Sequence, residues 1–193
     1  GKVKSLEALN ELEKYLLKNK INNYYNQKEK LNFKKVYKNQ TDDNYKKKFK
    51  KIMNYYGNLK LKHKILDSLL KKFEINIKPK DYYLNKKEIK YLDSLGMIIG
   101  SHSESHTLLS RLSYEKQFKE IKNSKIFLEK IINKDVKTFC YPYGGKISYN
   151  YNTLKILKKL KFKLAYSIEY RDISFKDIKN KPYELPRYDC NLF

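Results

Sequence analysis

The chain has little arginine, glycine, proline or cysteine, and it lacks any long apolar run. Of its 44 basic residues only Arg111, Arg171 and Arg187 are arginine. Nucleic-acid readers lean on arginine, whose planar fork pairs bidentately with phosphate or guanine. The formal net charge of +23 therefore reads as the lysine bias of an A+T-rich genome, with the lysines spread along helices, and no specific nucleic-acid partner is expected. Cys140 and Cys190 stand 50 residues apart with no CxxC pattern. That excludes a disulfide framework and a zinc ribbon, and it favours buried thiols. No apolar stretch approaches the roughly 20 residues that a transmembrane helix needs. No secretory signal is visible at the start, and localisation is left unassigned.

What is present divides the chain in two. Hydrophobic residues make up 40% of it, enough for a core. Gly1, Gly57 and Pro79 are the only glycines and prolines before residue 85, so residues 1–84 read as a helical, lysine-rich segment. Leu6, Leu9, Leu12 and Leu16 recur at helical spacing after Ser5, an expected N-cap. A second helix is expected from Asp42-Asp43 to Tyr56, ended by Gly57. A third spans Leu61 to Phe73, with Ile65, Leu66, Leu69, Leu70 and Phe73 on one face. The polar stretch from Ile21 to Gln40 has no assignable element.

Residues 85–193 alternate between helix and strand. Asn85-Lys-Lys-Glu88 fits a capping box opening a short helix. Met97 to Ser101 reads as a buried strand. Ser113 caps a long helix carrying Tyr114, Phe118, Ile121, Leu128 and Ile132. Val136 to Tyr141 is the next expected strand, Tyr151 to Leu160 a helix, and Leu164 to Ile168 a third strand. This order predicts parallel strands with crossover helices, an α/β sheet or part of a barrel.

Two of the three histidines, His102 and His106, lie four apart just after the first expected strand. In a helical turn or a tight loop their imidazoles can converge, and neutral imidazole is a common ligand of zinc, cobalt and nickel. The carboxyl end of a parallel strand is where α/β folds place their sites. Taken alone, the pair also fits surface or capping histidines. His63, inside Leu-Lys-His-Lys-Ile, reads as a solvated helix residue.

Gly100-Ser-His-Ser-Glu-Ser-His-Thr-Leu-Leu-Ser-Arg-Leu-Ser113 resembles the histidine box of the polysaccharide deacetylase family of metal-dependent carbohydrate esterases. Downstream, Phe139-Cys-Tyr-Pro-Tyr-Gly144 resembles its aromatic-Pro-Tyr-Gly motif. Leu185-Pro-Arg-Tyr-Asp189 is similar to a Leu-Pro-Arg segment of one branch. The resemblance covers roughly residues 85–193 and implies a partial or irregular (β/α) barrel, with 1–84 as an N-terminal helical insertion. It implies a divalent metal, zinc first and cobalt or nickel next, with His102 and His106 as ligands. The implied activity is removal of N- or O-acetyl groups from an acetylated glycan or sugar conjugate. The backbone N–H of Tyr143 would face the oxyanion, Tyr141, Pro142 and Gly144 would shape the substrate-binding loop, and Arg187 would orient the catalytic base.

The family's first motif, a strand ending in Thr-Phe-Asp-Asp-Gly, has no match before His102. Thr41-Asp42-Asp43-Asn44 lacks the preceding strand, the aromatic residue and the glycine, and it reads as a helix cap. The expected reading is a fragment of a longer chain whose earlier part carries the aspartates that serve as third metal ligand and general base. The other readings are a partner segment that supplies the aspartates and a non-catalytic glycan-binding relative that has lost them.

Overall fold

The computed structural model describes residues 2–18, 36–37, 41–56 and 59–189. They fall into two compact units, Gly1–Lys78 and Pro79–Phe193. The unassigned stretch 21–40 lies almost wholly outside the described residues, as do Gly57 and Cys190.

In the first unit α1 runs Lys2–Lys18, α2 Asn44–Lys51 and α3 Leu59–Lys72. A π-helical turn, Ile52–Tyr56, continues α2. The leucine periodicity works as expected at Leu9, Leu12 and Leu16, which pack with Ile52, Met53, Ile65 and Leu69. Each such side chain contributes roughly 1.5–3 kcal/mol when fully buried. Two expectations fail. Ser5 does not cap α1, which begins upstream of it; its side chain hydrogen-bonds Asp43 instead. Leu66 is exposed, because only Ile65 and Leu69 of that face turn fully into the cluster. Lysines of the later helices reach the acids of α1, Lys48 to Glu13 at 2.6 Å and Lys72 to Glu11 at 2.7 Å.

The second unit opens with α4, Lys86–Ser94, held by the expected capping box of Asn85 and Glu88. Next come α5 (Tyr114–Ile132), β1 (Thr138–Cys140), α6 (Tyr151–Lys159), β2 (Leu164–Ile168), α7 (Phe175–Asn180) and β3 (Leu185–Arg187). The strands form one parallel sheet in the order β1-β2-β3, with Phe139 opposite Ala165 and Ser167 opposite Pro186. The crossover helices α6 and α7 join them, so the class is α/β, and the expected partial barrel is represented among the described residues by a three-stranded parallel sheet.

One strand is corrected. Met97 to Ser101 is not a buried strand: only Ser101 pairs, by a parallel bridge to Phe139, and Ile98 is 83% exposed. An apolar run is a strand only where neighbours supply hydrogen bonds, and here a single residue finds one. Gly100 allows the close approach, since a Cβ there would stand 2.8 Å from Thr138 Oγ1. The helix α7 and the strand character of Leu185–Arg187 were not expected from the sequence. Pro186 suits an edge strand, where no ladder N–H is needed.

The core lies between the sheet and helices α5 and α6. Ile121, Ile131, Ile132, Val136, Phe139, Tyr141, Ile156, Leu157, Phe162 and Ala165 are buried in it. The Phe139 ring meets Tyr141 and Phe162 edge-on at 5.4 and 5.6 Å, the favoured aromatic geometry.

Candidate active site

Parallel strands point their carboxyl ends the same way, and here those ends carry the motif residues. Ser101 leads into His102, β1 into Tyr141-Pro-Tyr-Gly144, and β3 ends at Arg187.

His102 Nδ1 lies 2.7 Å from the Cys140 carbonyl oxygen. A carbonyl can only accept, so Nδ1 carries the hydrogen and Nε2 of the neutral ring keeps its lone pair for a ligand. The residue is exposed overall, yet its pKa is held below the ordinary histidine value. Partial desolvation is the main cause; the Arg187 charge adds to it, and the bond to Cys140 opposes it. The neutral, ligating form is thereby favoured.

His106 comes to the same place through a strained loop. Its ring centroid is 4.8 Å from that of His102 and 4.7 Å from that of Tyr143. Ser103 (φ 64) and His106 (φ 50) are both left-handed, a conformation costing an L-residue roughly 1–2 kcal/mol. The contacts of Ser105 oppose that cost. Its N–H donates to Glu120 Oε2 at 2.9 Å and its hydroxyl to Glu120 Oε1 at 2.6 Å.

The Pro-Tyr-Gly turn is a second left-handed pair, Tyr143 (φ 63) and Gly144 (φ 68). Gly144 N–H donates to Tyr141 O and Ile168 N–H to Gly144 O, which ties the turn to the end of β2. A side chain at 144 does not fit, since its Cβ would stand 2.4 Å from Ile168 Cγ1 and 3.0 Å from Arg187 Nη2. Tyr141 and Pro142 are buried beneath the turn. The Tyr141 hydroxyl donates to Tyr183 O at 2.6 Å and its ring stacks on Tyr149 at 3.9 Å. Burial pushes the Tyr141 phenol far above its ordinary pKa, with the charge fields of Tyr149 and Glu184 adding. This side chain is a fixed hydrogen-bond donor rather than a proton carrier.

Arg187 reaches the site from β3. It hydrogen-bonds the Cys140 side chain and lowers the thiol pKa, although burial, the larger effect, raises it. The buried Arg187 Nε has no hydrogen-bond partner among the described residues. An unmatched charged donor suits a carboxylate.

The structure thus brings together His102, His106, Tyr143, Gly144 and Arg187, with Tyr141 and Pro142 as support. His63 belongs to the first unit and is exposed on α3. The two imidazoles suit the histidine part of a divalent metal centre. Among the described residues no group of three or more His, Cys, Asp or Glu converges. Asp43 caps α2 by accepting from Lys46 N at 2.9 Å, and Asp42 pairs with Lys46 at 2.6 Å and with Lys50. The sequence reading missed the α5 residues that hold the loop, Glu120, Asn123 and Ser124. Their signal was polar residues at i, i+3 and i+4 on a helix otherwise read for its apolar face.

A family model described as polysaccharide deacetylase matches residues 42–165, more than half of the chain. The match begins at Asp42, upstream of the stretch that carries the motifs. No curated protein matches the chain. Among solved structures, Streptococcus pyogenes deacetylase PplD in complex with acetate is 30% identical, with a TM-score of 0.49 over 54% of this chain and 44% of that one. BC0361, a polysaccharide deacetylase from Bacillus cereus, is 24% identical, with a TM-score of 0.48 over 54% of this chain and 32% of that one. The chain therefore spans less than half the length of either.

Proposed function

Because the chain belongs to the polysaccharide deacetylase family, we propose that it carries the histidine half of a metal-dependent deacetylase, one that hydrolyses N- or O-acetyl groups on a glycan or sugar conjugate. The observation that carries this reading is the convergence of His102 and His106 at 4.8 Å, with Nδ1 of His102 held by a carbonyl.

His102 and His106 would hold a divalent metal, zinc first, with cobalt or nickel as alternatives. When bound, such a metal supplies a Lewis acid for the acetyl carbonyl and lowers the pKa of water. The chain's own residues do the rest. The Cys140 carbonyl keeps His102 in the ligating tautomer. The backbone N–H of Tyr143, on the left-handed turn it shares with Gly144, would stabilise the developing oxyanion. Tyr141, Pro142 and Gly144 give the substrate-binding loop its shape. Arg187, whose buried Nε has no hydrogen-bond partner among the described residues, orients the carboxylate that serves as general base.

That carboxylate and the third ligand are supplied by a partner segment bearing an aspartate pair. Residues 1–84 are the helical insertion, and the Leu185-Pro-Arg187 segment supports membership of the Leu-Pro-Arg branch. The test is acetate release from an acetylated oligosaccharide when the chain is supplied with an aspartate-bearing segment. Release that vanishes in His102→Ala and His106→Ala is expected. The absence of a third ligand among the described residues favours one second reading, a non-catalytic glycan binder. Saturable oligosaccharide binding without acetate release, even with the segment present, would favour that reading.

A further inference from the structure

The loop that carries the second histidine is not self-supporting. Glu104 and Ser105 lie between two left-handed residues, Ser103 and His106. Within the loop, the Ser105 hydroxyl lies 2.8 Å from Thr107 Oγ1. Further polar contacts come from one helix. On α5, Glu120, Asn123 and Ser124 share a face, as residues three and four apart do. Ser124 Oγ accepts from Ser101 Oγ at 2.9 Å at the end of the strand bridge. Asn123 Nδ2 donates to Glu104 Oε2 at 2.8 Å. Glu120 takes both donors of Ser105, backbone N–H at 2.9 Å and hydroxyl at 2.6 Å.

These contacts are not equivalent. His102 is fixed independently, by its neighbour Ser101 in the sheet and by the Cys140 carbonyl. His106 follows Ser105 directly, and its ring also meets Tyr143 at 4.7 Å. A carboxylate that grips both a backbone N–H and the side chain of one residue fixes that residue's position and its rotation.

We propose that Glu120 is the positioning residue of the histidine pair: its two-point grip on Ser105 sets where the His106 imidazole stands relative to His102. The assignment rests on the reading of His102 and His106 as ligands only for its functional meaning, because the geometry it claims exists without metal. Glu120 contacts Ser105 rather than either imidazole. It acts through Ser105, as outer partners of metal ligands do.

The test compares the full chain with Glu120→Ala, Glu120→Gln and Ser105→Ala, each in a His63→Ala background so that only two histidines remain. The first readout is the nuclear Overhauser contact between the two imidazoles in metal-free protein. The second is zinc affinity by competition with a chromophoric chelator. Glu120→Ala is expected to lose the ring contact, to free the Ser105 amide to hydrogen exchange, and to weaken zinc roughly 10- to 100-fold. Glu120→Gln keeps one acceptor and should fall between. A ring contact retained in folded Glu120→Ala overturns the assignment, as does unchanged zinc affinity once the Ser105 amide is released. Should Glu120→Ala not fold, Glu120→Gln and Ser105→Ala carry the same comparison. Zinc binding indifferent to His106→Ala sinks the ligand reading instead, and the metal-free ring contact still judges Glu120.

Discussion

The first unit holds an aspartate pair and the second a histidine pair, and the structure treats them differently. Asp42 and Asp43 precede α2, where one carboxylate caps the helix and the other pairs with lysines on the next turns. His102 and His106 follow the end of a sheet, where two left-handed residues and a gripping carboxylate turn their rings together. In this chain the pair whose side chains converge is the one whose backbone has left regular hydrogen bonding. At Asp43 the backbone continues into an ordinary helix, whereas at His106 it does not.

The comparison makes graded predictions. The hydrophobic frameworks of the two units should be equally demanding. Leu12→Ala in the first and Ile156→Ala in the second, both fully buried, should each cost about 2–5 kcal/mol, read by hydrogen exchange within the affected unit. A negligible loss at Leu12 would mean that the helices are not held by the leucine cluster. The site turn should be the next most sensitive element. Gly144→Ala combines a left-handed φ with a clash against Ile168 and should cost about 1–3 kcal/mol by denaturant titration. Gly145→Ala, whose Cβ meets only Ile147 at 3.9 Å, should be close to neutral.

The smallest effect concerns acid. Arg171, followed by Ser174, holds the Asp177 carboxyl well below the ordinary carboxylate range. Its folded pKa is depressed, so its stabilising contribution is present above about pH 4, the unfolded value, and is lost as pH falls through the folded one. Asp177→Asn should therefore leave a shallower loss of thermal stability on acidification than the parent chain shows. A parallel loss in both would remove that pair from the account.

Much of this was legible in the sequence, and the failures have causes. The capping box at Asn85, the cap at Ser113 and the strand Leu164–Ile168 follow from local chemistry, and each lies where the pattern put it. The convergence of His102 and His106 was legible from their spacing, although the strand expected before them reduces to a single bridge at Ser101. Ser5 misled because a serine before a leucine repeat looks like a cap whether or not the helix has already begun. Met97–Ile99 misled because an apolar run carries no information about whether a neighbouring strand exists. Glu120 was invisible because its meaning depends on Ser105, fifteen residues away along the chain and adjacent only in the fold.

The central claim is that His102 and His106 form one metal-binding pair. Isothermal titration of zinc into the chain, His63→Ala, His102→Ala and His106→Ala tests it most directly. The account predicts one site, unchanged in His63→Ala and weakened in both His102→Ala and His106→Ala by more than the roughly 10- to 100-fold that loss of a supporting contact costs. Zinc binding that persists undiminished in His102→Ala would contradict it.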